Sequence, residues 1–139
     1  MHNILFCYGT LQSEEVISSL IGRKPPVSSS AVLENYGAYY VEGTDYPGIR
    51  EDSGNKVQGM LYYDLDKKVM NILDRFEGDL YERVIVSVVD ENDKTVDAFV
   101  YKTKKEKLYM LNEKPWDLEV FMERELDHFI RGYVRERWE

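Results

Sequence analysis

The stretch Ile72 to Val86, ILDRFEGDLYERVIV, places a glutamate, Glu77, between Phe76 and Gly78, where a helical pattern stops and a strand pattern begins. A carboxylate at the end of a rigid element, followed by a residue that adopts backbone angles others avoid, is held in place. Val69, Leu73 and Phe76 make the apolar stripe of that helix, so Glu77 lies about 100° further round, at the edge of the buried face. Partial burial there raises a carboxyl's pKa and suits it to general-base work near neutrality. The competing reading is a solvated charge at a helix end, the usual state of a glutamate. YGTL, Tyr8 to Leu11, is a second candidate. The backbone N–H groups of Gly9, Thr10 and Leu11 can form a nest for a carboxylate or phosphate, assisted by the Tyr8 and Thr10 hydroxyls; alternatively, the glycine makes only a sharp turn.

The elements that would position these residues can be read from local signals. Asn3 to Tyr8 predicts a short buried strand, and Ser13, Glu14 and Glu15 start a helix with the stripe Val16, Ile17, Leu20 and Ile21 and a stop at Gly22. Val27 to Val41 predicts strands, Pro47 and Gly48 a turn, and GNKVQGMLYYDL another strand in which Gly54 and Gly59 mark turns or bulges. Asp66 caps the helix that carries Glu77 and Gly78 ends it. Tyr81 to Asp90 and Thr95 to Lys102 make a hairpin around ENDK. After a break at Pro115 and Trp116, Leu118, Phe121, Met122, Leu126, Phe129, Ile130 and Tyr133 keep a helical period over residues 117–135. Short connections favour antiparallel pairing in an α+β fold of a single domain, 1–139.

Composition narrows the function. Acidic residues outnumber basic ones 26 to 18, a net charge of -8, which repels phosphate backbones and anionic membrane surfaces. Neither a nucleic-acid partner nor a membrane is therefore expected. No signal-peptide pattern and no run near the roughly 18 apolar residues of a membrane span is present, which predicts a cytoplasmic protein. The one cysteine, Cys7, reads as a buried, inert thiol in a strand. His128 stands alone beside Asp127 and far from His2, so no metal site is expected. Arg83 reads as a partner for a carboxylate or carbonyl, and Arg50 as an exposed charge with a substrate carboxylate as the alternative.

LFCYGTL, YPGI (Tyr46 to Ile49), VQGMLY (Val57 to Tyr62) and LDRFEGDLYERVIV (Leu73 to Val86) resemble, in order and spacing, the gamma-glutamylcyclotransferase-like family, which includes gamma-glutamylamine cyclotransferases. The likeness runs from about residue 3 to residue 102. It implies a small mixed, mostly antiparallel β-barrel with packed helices and a pocket at one end. It also implies that Glu77 is the catalytic acid/base, that Tyr8, Gly9, Thr10 and Leu11 bind the glutamyl group and that Tyr81 lies beside the pocket. The chain departs from the family in following YGTL with Gln12, Ser13, Glu14 and Glu15, where a basic residue and a glycine are common. Two acids there disfavour a highly anionic second half of a substrate.

The implied chemistry suits these residue types. In a γ-glutamyl compound the α-amino group attacks its own γ-carbonyl, closes a lactam and expels an amine, releasing 5-oxoproline. Holding the chain in its closing geometry contributes ~7 kcal/mol or more in favourable cases. An α-amino group with a pKa of ~8 is mostly ammonium, so a carboxylate must first take its proton and then return it to the leaving amine. No metal, nucleotide or other cofactor is required. The alternative is a binding or regulatory protein of the same fold without turnover. The C-terminal helix, outside the resemblance, caps the barrel or pairs with a second copy as a homodimer.

Overall fold

The computed structural model describes residues 3–24 and 27–131. Five strands close a barrel: β1 (Asn3–Cys7), β2 (Ser28–Val41), β3 (Pro47–Leu65), β4 (Tyr81–Asp90) and β5 (Thr95–Thr103). Their order around the wall is β3, β1, β5, β4, β2 and back to β3. Only β1 and β5 run parallel among these neighbours, so the barrel is mixed and mostly antiparallel. A short β6 (Leu111–Pro115) extends β2 on its outer edge.

Alternation along the strands divides the apolar residues into two cores. Phe6, Leu33, Ile49, Leu61, Val88 and Val100 come from all five strands and fill the interior. Leu5, Cys7, Tyr62 and Leu65 point outward and are covered by helices. Both faces of β1 are thus buried, which is why LFCY reads as a continuous apolar run.

Helix α1 (Glu14–Ile21) starts where Ser13 accepts from the Val16 N–H at 3.2 Å and stops at Gly22, with φ 75°. Helix α2 (Lys67–Glu77) starts where Asp66 Oδ1 accepts from the Val69 N–H at 2.9 Å. Val69, Met70, Leu73 and Phe76 face the core and Gly78 ends α2 with φ 75° and ψ -157°. The last helical run comprises α3 (Leu118–Val120), a wider π-type stretch Phe121–Glu125 and α4 (Leu126–Phe129). The sequence period did not reveal the π stretch, and Tyr133 lies outside the described residues.

Pro47 and Gly48 do not form the predicted turn. The chain reverses at Val41 to Tyr46, with the Thr44 N–H bonded to the Val41 carbonyl at 3.0 Å. Pro47 is the first residue of β3, a position that tolerates its missing N–H. Gly48 is there for space, since a Cβ would meet the Thr103 hydroxyl and lie 2.7 Å from Leu111 Cδ2. No helix among the described residues is long and apolar enough to cross a membrane.

Candidate active site

At the end of β1 the chain enters a tight turn beside the start of β3. A Cβ on Gly9 would lie 2.8 Å from Pro47 Cγ, so this approach needs glycine. A single 3₁₀ turn, Thr10–Gln12, follows, closed by the Gln12 N–H on the Gly9 carbonyl at 3.0 Å. The Gln12 side chain donates to the Tyr8 carbonyl at 2.8 Å and the Tyr62 hydroxyl to the Leu11 carbonyl at 2.8 Å. These bonds engage the turn's carbonyls, while the first N–H groups of such a turn have no partner within it.

Across the opening, α2 delivers Glu77 as its last residue, half-buried. One turn earlier, Asp74 accepts from the Tyr101 hydroxyl at 2.7 Å and pairs with Arg83 Nε at 3.2 Å. The Tyr81 hydroxyl donates to the Pro47 carbonyl at 2.5 Å, tying the start of β4 to the start of β3. Tyr8, Gly9, Thr10, Leu11, Glu77 and Tyr81 all line one small cavity open to solvent. A second cavity of about 510 Å³, between Asp74 and Arg83, shares Glu77, Tyr81 and Tyr101 with the first.

Among the described residues that line the first cavity, Glu77 is the only carboxyl and none is Lys, Arg or His. Burial raises the Cys7, Tyr8 and Tyr101 pKa values, and the Glu77 charge raises them further. Tyr101 is raised also by its bond to Asp74. The thiol and these phenols therefore stay protonated at neutral pH. Cys7 is buried in β1, as its apolar neighbours predicted.

The Tyr8 hydroxyl departs from the sequence reading. It donates to the Tyr101 carbonyl at 2.5 Å and is bonded by the Ile49 backbone, so it is engaged within the barrel and does not assist the turn. Arg50 lies with its guanidinium 4.0 Å from the Tyr39 ring centroid, away from the cavity. His128 is exposed, and no metal-holding group of three or more His, Cys, Asp or Glu occurs among the described residues.

Sequence reasoning did not single out Tyr46, Pro47, Tyr101 or Phe129 for this cavity. Phe129 stacks edge-on against Tyr46 and Phe76, with centroids 6.3 and 6.2 Å away. YPGI carried a signal for Tyr46 and Pro47. Phe129 showed only as a core position in the last helix.

A closed five-stranded mixed barrel with helices packed outside it, and a glycine turn and a helix-end glutamate at one opening, define a gamma-glutamylcyclotransferase-like fold. The chain belongs to the family described as gamma-glutamyl cyclotransferase, AIG2-like, whose model matches residues 5–118. It is 33% identical over 130 residues to AIG2-like protein C of Arabidopsis thaliana, covering 91% of this chain and 73% of the relative. An Arabidopsis thaliana protein known from a solution structure superposes with a TM-score of 0.73 at 26% identity, covering 99% of this chain and 82% of that one. A protein titled gamma-glutamyl cyclotransferase shares the fold with a TM-score of 0.62 at 19% identity, over 75% of this chain and 68% of its own.

Proposed function

We propose that the protein is a gamma-glutamyl cyclotransferase, releasing 5-oxoproline from a small γ-glutamyl amine, amino acid or peptide. The observation that carries this reading is that Glu77 and the Gly9 turn border the same cavity, where Glu77 is the one charged side chain among the described residues. In this proposal the turn's backbone amides receive the α-carboxylate, and Glu77 receives the α-ammonium as counter-charge and as base.

The α-nitrogen must lose two protons in passing from ammonium to lactam N–H, and the leaving nitrogen must gain two in becoming a free ammonium. Glu77 takes the first proton, exposing the lone pair that forms the C–N bond to the γ-carbonyl. Glu77 then returns the proton to the departing nitrogen as the old C–N bond breaks. The second transfer follows through the same carboxyl or solvent. Among the described lining residues, the neutral thiol and phenols leave Glu77 as the side chain suited to the task.

Incubation with a panel of γ-glutamyl compounds and detection of 5-oxoproline by mass spectrometry tests the reading directly. Release from at least one compound is expected. Binding without release from any would assign the fold a binding role instead.

A further inference from the structure

We propose that the ion pair Asp74–Arg83 is a positioning unit that balances the charge around Glu77, so that its carboxyl can both take a proton and give it back. This rests on the cyclotransferase reading of Glu77. Asp74 stands one turn before Glu77 on α2, and residues at that spacing share a helix face. Its carboxylate meets Arg83 Nε, from β4, at 3.2 Å, and Asp74, Arg83 and Glu77 line the same second cavity.

The pair is held by its neighbours. Asp74 Oδ1 also accepts from the Tyr101 hydroxyl of β5 at 2.7 Å, and the Arg83 guanidinium lies over the Phe99 ring, 4.6 Å from its centroid. The Tyr101 carbonyl in turn accepts from the hydroxyl of Tyr8, the residue before Gly9. The pair is therefore tied to the chain that enters the binding turn as well as to the helix that carries Glu77. Among the described residues, the titratable groups that share a cavity with Glu77 are Asp74 on its own helix, Tyr81 and Arg83 on β4, Tyr101 on β5, Cys7 and Tyr8 at the end of β1, and Tyr46. The thiol and phenols aside, Asp74 and Arg83 are the charged members of that set. A lone cation there would favour the Glu77 carboxylate and weaken its hold on the proton, whereas a lone anion would favour the protonated acid. Paired, the two charges largely cancel at Glu77.

The proton affinity of Glu77 can be read without turnover, by NMR titration of protein carrying isotope-labelled glutamate, with the Glu77 signal identified by its absence from the Glu77→Gln spectrum. Asp74→Asn, which keeps an oxygen for the Tyr101 hydroxyl, leaves Arg83 unbalanced and should lower the Glu77 midpoint by roughly half a pH unit, the effect of one charge damped by solvent. Arg83→Gln leaves Asp74 unbalanced and should raise the midpoint by a similar amount. Arg83→Lys keeps the charge and should leave it near the parent value. The first two variants break the same ion pair, so a role confined to stability cannot move the midpoint in opposite directions. Shifts of one sign, no shift in Asp74→Asn, or a Lys variant that moves as far as the Gln variant would overturn the proposal. Where Arg83→Gln does not fold, the downward shift in Asp74→Asn and the unmoved midpoint in Arg83→Lys decide it. The acid limb of kcat/KM for 5-oxoproline release should follow the same signs. Opposite shifts without release keep the role of the pair and remove the cyclase, whereas release with an unmoved Glu77 midpoint does the reverse.

Discussion

Replacing Glu125 by Gln should remove a pH dependence of stability centred on the last helix. Glu125 ends the π stretch, and its Oε1 is buried without a hydrogen-bond partner. Its carboxyl is pushed up from 4.5 to about 7, first by burial and then by a hydrogen bond to, and the charge of, Asp45, with Lys114 opposing. Tyr40 also faces it, and the Glu125 charge helps to raise that phenol. Folded protein therefore holds a proton that unfolded chain has released between pH 4.5 and about 7. Stability is highest below that window and falls as pH rises through it. The full linkage value would be about 3 kcal/mol, but the side chain is half-exposed and solvent screening reduces it to about 1 kcal/mol. Thermal unfolding should accordingly show a midpoint roughly 4 °C lower at pH 8 than at pH 5 from this group. The glutamine amide donates to Asp45 at every pH, so the variant should lose that part of the slope and exceed the parent at pH 8. Identical slopes in the two proteins would refute the shared-proton account.

Two stability predictions concern the barrel near the cavity. Gly59→Ala places a Cβ against the Cys7 carbonyl oxygen and 2.8 Å from Phe6 Cζ. Because a backbone atom must move, a loss of about 3 kcal/mol is expected from denaturant midpoints, and a loss under about 0.5 kcal/mol would contradict the packing. Tyr81→Phe leaves the buried Pro47 carbonyl without its donor. The expected cost is about 1 to 3 kcal/mol by thermal unfolding, and an unchanged midpoint would mean that the bond contributes nothing.

Features specified locally were legible in the sequence. Asp66, the stripe of α2 and Gly78 together fix where Glu77 stands, and Ser13 and Gly22 bound α1, because caps and periodicity act over a few residues. Barrel closure was not legible in that way and came from family resemblance. The partners of β1 are β3 and β5, distant along the chain, and no local pattern specifies them. Pro47 and Gly48 misled because their composition matches a turn, whereas Gly48 is required by the crowding of Thr103 and Leu111. The Tyr8 hydroxyl was assigned to the turn because sequence adjacency does not show that strand alternation sends the side chain inward. Phe129 was recognisable as apolar, but only packing shows that it meets Tyr46 and Phe76 beside Glu77. The short β6 also escaped notice, since its LNEKP sequence, buried only at Leu111, carries no strand period.

The most direct measurement compares 5-oxoproline release by the parent and Glu77→Gln proteins on whichever γ-glutamyl compound turns over fastest. Glutamine keeps the shape of the side chain but cannot accept and return the proton. A loss of about 10²-fold or more in kcat, with the thermal midpoint nearly unchanged, is predicted. Rates within a few-fold of the parent would contradict the assignment of Glu77 as the group that moves the proton.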